Sequence, residues 1–157
     1  MPTLLNHEDS AALERRFSQL QSDTPARWGK FTAPQMLSHV IQSLGMMAGS
    51  VEMTSGPGPW VVRNWPLKHL LIYVLPFPKG LPTSPELLAR ASLPVESAQE
   101  TWPSELDALR QALEPLVMRG DRGTKWPDHV AFGPMSGRQW GVLQYRHLDH
   151  HLRQFGL

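Results

Sequence analysis

The sequence predicts an all-α fold, an antiparallel four-helix bundle with a long Pro/Gly-rich connection. Three observations lead there. Apolar residues recur at helical spacing in four segments, two of those segments open on capping-box patterns, and no stretch alternates convincingly as a strand does. The 157 residues, 41% hydrophobic and 18% charged, read as one globular domain spanning 1–157.

In the first segment Leu13, Phe17 and Leu20 recur at helical spacing within residues 8–21, with Glu14, Arg15 and Arg16 over the remaining surface. Ser22-Asp23-Thr24-Pro25 breaks it. Thr32-Ala33-Pro34-Gln35 is a capping box with Pro in the first turn, so a second helix runs over about 33–48 and exits at Gly49. A short third helix fits 67–75. The rest of 51–103, dense in glycine and proline, is expected to be a long ordered connection whose Trp60, Val61, Val62, Leu81, Leu87 and Leu88 pack against the bundle. Ser104-Glu105-Leu106-Asp107 opens another helix to about Met118, stopped by Gly120 and kinked or shortened by Pro115. Ser136-Gly137-Arg138-Gln139 is the second capping box, and its helix runs to about Phe155 with Gly156 beyond it.

Composition excludes several functions. The absence of cysteine removes disulfides, thiolate nucleophiles and Cys-ligated metals, so any metal must use His, Asp or Glu. A net charge of +1 without a basic face argues against nucleic acid. Residues 1–8 lack a secretory pattern, and the most apolar run, 70–75, is far shorter than the ~20 residues of a spanning helix. No membrane association is expected, and the expected location is the cytoplasm. The run 70–77 is the face expected to support a homodimer.

The chemistry lies with the seven histidines, three of which crowd into Arg146-His147-Leu148-Asp149-His150-His151. With Trp140 at zero and about 100° per residue, Leu143, Leu148, Leu152 and Phe155 define a buried arc, and Arg146, Asp149 and Arg153 face solvent. His147 and His151 fall inside the buried arc, and His150 falls at its edge. Two imidazoles one turn apart can share a metal ion at roughly 2.0–2.1 Å, or can simply bond Gln144 and Gln154, which share the arc. A third ligand from a facing helix would be His39. Its phase places it beside Ser43 and Met46, off the face of Leu37, Val40, Leu44 and Met47, so it reads equally as a flank residue.

His39 with His147-x-x-x-His151 and Arg153-Gln154 resembles the metal site of the DinB-like (damage-inducible) four-helix-bundle superfamily. Residues 129–136, Trp140 and 147–156, with Trp28-Gly29-Lys30 and 35–39, look closest to one bacterial subfamily of unknown function. The likeness covers most of the chain and is weakest over 51–103. It implies a nickel or zinc ion held by His39, His147 and His151, with positions open to water or substrate. It also implies a metal-dependent thiol S-transferase or hydrolase, the substrate including a low-molecular-weight thiol. Relatives with the same triad differ in chemistry, and fold does not fix function. A non-enzymatic bundle with a structural metal, closed by His129, His150 or a carboxylate, stays open beside that reading, as does a metal-free binder. His150 and His129 are the further binding candidates.

The remaining features are read as structure. Trp28, Trp65, Trp102, Trp126 and Trp140 anchor loops and core, and Met46, Met47 and Met118 fill the interior. Gly56-Pro57-Gly58-Pro59 lacks the lysine and the following helix of a phosphate loop. Glu8, Asp9 and Glu14 offer a general base, but no spacing selects one.

Overall fold

A computed structural model describes residues 1–51, 58–77, 98–121 and 125–157. Among these the chain is all-helical. Six helices lie among the described residues: α1 (His7–Phe17), α2 (Ala33–Ala48), α3 (Trp60–Arg63), α4 (Leu67–Tyr73), α5 (Ala98–Arg119) and α6 (Gly137–Gln154). No strand occurs among the described residues, and the one bridge joins His129 to Gly133. No helix there is long and apolar enough to cross a membrane.

Local chemistry accounts for most of the boundaries. α1 begins one residue before the expected start because the Asn6 side chain accepts from the amides of Glu8 and Asp9, at 2.9 and 3.1 Å. It ends at Phe17 rather than Gln21. Ser18 turns its hydroxyl onto the Arg15 carbonyl, and a turn closed by the Leu20 amide on the Phe17 carbonyl carries Leu20 into the core. The helical spacing of Leu13, Phe17 and Leu20 is thus met partly by a turn. Both capping boxes form as expected, at Thr32/Gln35 and Ser136/Gln139. Gly49 leaves α2 with φ +83°, the left-handed region a glycine C-cap favours.

Elsewhere the structure departs from the sequence reading. α5 starts at Ala98 instead of Ser104 and runs through both Pro103 and Pro115 to Arg119. Each proline removes one amide donor, and the helix survives because Leu109, Leu113, Leu116 and Val117 remain buried. α3 was not expected, and α4 ends at Tyr73 rather than at residue 75. Of the expected wrapping connection, 52–57 and 78–97 lie outside the described residues. Trp60 and Trp65 are exposed, at 76% and 81%, so they do not pack inward, and Met118 also faces solvent.

The core gathers residues of α1, α2, α5 and α6 around Trp140, whose indole N–H donates to the Pro127 carbonyl at 2.9 Å. α2 packs against both α5 and α6, and α1 also lies on that pair. Enclosure on two sides widens the buried arc of α2, which includes His39 and Ser43 as well as the expected apolar residues. α4 packs on α6. There Arg146, expected in solvent, is half-buried and donates to the carbonyls of Leu71, Ile72 and Leu75. Those carbonyls end a short helix and have few helical partners, which is what draws the guanidinium inward.

Candidate metal centre

The site forms where α2 and α6 face each other. Their register is fixed one turn away. Ser43 donates its hydroxyl to Gln144 Oε1 at 3.2 Å, and Gln144 Nε2 donates to the Ser43 carbonyl at 3.1 Å. Ser43 lies four residues after His39, and Gln144 lies three before His147. This buried pair therefore sets the two helices so that the imidazoles meet. It also uses up Gln144, one of the two partners the sequence offered to the histidines.

His39 Nε2 lies 3.0 Å from His147 Nε2, and His147 Nε2 lies 3.1 Å from His151 Nε2. The three residues form a group that could hold a metal ion, their ligand atoms all within 4.8 Å of one another. His39 and His151 are 5% and 8% exposed, and His147 keeps part of its surface in solvent. Aromatic rings surround them. Phe31 lies 5.4 Å from the His39 ring and 6.2 Å from that of His151. Phe77 stacks on His147 at 6.0 Å and 24°.

Burial sets the protonation state. The His39 pKa falls to about 3, through desolvation and then the neighbouring His151. That of His151 falls to about 4 through desolvation, against a smaller upward pull from its bond to Gln154. His147 is held well below its ordinary value by burial and by His151, His39, His150 and His129. All three are neutral at pH 7, the form that ligates metals. The charges that shift them come from other histidines. No carboxylate contributes among the described residues.

Behind His151 stands Gln154, also buried. His151 Nδ1 lies 2.9 Å from Gln154 Oε1, while Gln154 Nε2 donates to the Trp28 carbonyl at 2.8 Å. His39 Nδ1 is buried without a partner among the described residues.

The two further candidates are not among the three grouped ligands. His129 closes a tight turn: its amide and carbonyl pair with those of Gly133, and its Nδ1 accepts from the amides of Ala131 and Phe132 at 3.0 and 3.3 Å. Its ring packs on Trp140 at 5.0 Å, and its pKa falls to about 4 by burial and then by Lys68. His150 sits between Trp28 and Phe77, at 6.0 and 5.8 Å, with its ring 5.4 Å from that of His151. His7 and His69 are exposed, as are Glu8 and Glu14 in part. Phe31 escaped the sequence reading, and Phe77 entered it only as the end of the 70–77 run expected to support a homodimer. Both lie outside helices, next to glycine- or proline-rich stretches where helical phase assigns no direction.

No protein-family model, curated protein or solved structure matches the chain.

Proposed function

We propose that the chain is a divalent-metal-binding protein whose ion is held by the Nε2 atoms of His39, His147 and His151 within a DinB-like antiparallel four-helix bundle. The observation that carries this reading is the grouping of three neutral imidazoles whose ligand atoms all lie within 4.8 Å of one another.

Ligands at 2.0–2.1 Å from one ion stand about 3.3 Å apart on a tetrahedron and about 2.9 Å apart on an octahedron. The two contacts on His147, 3.0 and 3.1 Å, fall between these values. Such distances also suit N–H···N hydrogen bonds, so protons must be counted. The Gln154 amide donates to the Trp28 carbonyl, which leaves its oxygen facing His151 Nδ1. That nitrogen therefore carries the hydrogen, and neutral His151 presents a bare Nε2. His147 Nε2 has at most one hydrogen for two neighbours. Pointed at His151, it leaves His39 Nε2 without a bond of full strength. Removed, it leaves two lone pairs facing each other at 3.1 Å. A cation needs no proton at any of the three positions and turns every contact favourable.

An ion with three neutral ligands retains its charge and supplies Lewis acidity to a thiol or to water at a remaining position. On this basis we propose a metal-dependent thiol S-transferase or hydrolase acting on a small molecule. Phe31 packs against the His39 and His151 rings and Phe77 against that of His147, and the Ser43–Gln144 pair holds the helices in register. The donor set of three imidazoles suits zinc and nickel.

Cobalt(II) provides the test. Titrated into the metal-free protein, it should give visible absorption saturating at one equivalent, absent in His151→Ala and unchanged in His69→Ala. Equal binding by all three proteins would overturn the triad.

A further inference from the structure

We infer that Gln154 is a positioning residue of the metal site. It fixes the His151 tautomer and ties the segment 27–31 to the ion. The inference rests on the metal-binding reading and adds a determinant of affinity outside the three ligands.

The arrangement runs through consecutive contacts. The Arg27 amide donates to the Gln154 carbonyl at 2.7 Å, and Gln154 Nε2 donates to the Trp28 carbonyl at 2.8 Å. One residue thus grips the segment from both its backbone and its side chain. The amide has one orientation that satisfies the Trp28 carbonyl, and in that orientation its oxygen can only accept. His151 Nδ1, 2.9 Å away, must be the donor, and its Nε2 lone pair then faces His147 Nε2 at 3.1 Å. Ligating histidines commonly have their second nitrogen held in this manner, which selects the tautomer and strengthens the ligand. His39 Nδ1 has no such partner among the described residues, so its tautomer is not fixed by a hydrogen bond there.

Gly29 makes the grip possible. Its φ is +83°, and a Cβ at this position would fall 2.3 Å from Gln154 Nε2. Any side chain at position 29 is therefore strained by backbone and by collision at the atom that orients the amide. Two residues later Phe31 lies against the His39 and His151 rings. The segment that Gln154 holds is thus the one that covers two of the three ligands.

The test compares wild type with Gln154→Leu, Gln154→Glu and Gly29→Ala. Long-range 1H–15N spectra of the metal-free proteins report the His151 tautomer. Zinc affinity is measured by competition with a chromophoric chelator, and circular dichroism checks the fold. The wild type should show hydrogen on Nδ1. Gln154→Leu should show a tautomer mixture and bind zinc about 10–100-fold more weakly at unchanged helix content. Gln154→Glu keeps an acceptor for His151 Nδ1 but loses the donor to the Trp28 carbonyl, so it should restore the tautomer and only part of the affinity. Gly29→Ala should weaken zinc binding with Gln154 intact. Hydrogen on Nε2 of wild-type His151, or a Gln154→Leu affinity within twofold of wild type, overturns the inference. A wild type that binds no zinc overturns the metal reading instead, and the tautomer comparison still decides the role of Gln154.

Discussion

Acidification of the metal-free protein should unfold it well above the pH at which carboxylates titrate. His39, His129, His147 and His151 are all buried with lowered pKa values, so the folded state binds few protons at these sites where the unfolded chain binds many. The stability they allow is complete above the unfolded value of about 6.5 and is lost as pH falls from there toward the folded values. Between pH 7.5 and 5.5 an unfolded histidine passes from mostly neutral to about nine-tenths protonated, which costs the fold between about 1 and 2 kcal/mol per group. The four together give about 5 kcal/mol, against a total of about 5–15 kcal/mol for an ordinary domain. Three of the four are in mutual contact and titrate as a group, so the loss belongs to the cluster rather than to any one ring. Urea unfolding with chelator present, followed by circular dichroism at pH 7.5, 6.5 and 5.5, measures it. The midpoint should fall steeply across this range. A midpoint constant from pH 7.5 to 5.5, or one that rises, would refute the claim that these imidazoles are buried and neutral.

Three further outcomes follow from the packing. Ser136→Ala removes the side-chain half of the α6 cap and should cost about 1 kcal/mol in thermal or urea unfolding. Leu113→Ala, at a fully buried site on α5, should cost about 2–5 kcal/mol by the same assay. Arg146→Met keeps the bulk of the stem but releases three carbonyls near the end of α4, so amide exchange over 67–75 should accelerate while α2 and α6 stay protected.

The histidine pair on α6 was legible because helical phase is a strong signal in a long amphipathic segment. Trp140, Leu148 and Leu152 fix the buried arc, and His147 and His151 fall inside it. His39 was harder to place from α2 alone. Its position beside Ser43 and Met46 reads as a flank until the two-sided enclosure of α2 is known, and that enclosure is a tertiary fact. Both capping boxes were readable because each is local, four residues whose side chains and amides satisfy one another. The start of α5 was not. Pro103 and Ser104 carry a start signal at the residue level, and packing further along the helix outweighs it. Arg146 shows the opposite failure, since a cation drawn to helix-end carbonyls has no signature in its own helix. Gln154 was visible as a partner for His151, but its hold on Trp28, and the need for glycine at 29, depend on a contact across 126 positions.

The most direct test of the central claim is elemental analysis of protein purified without an affinity tag or added metal, beside a His147→Ala/His151→Ala variant. The wild type should carry close to one zinc or nickel per chain and the variant none. No metal in either, even after incubation with zinc and nickel, would contradict it and leave the three histidines as buried core residues.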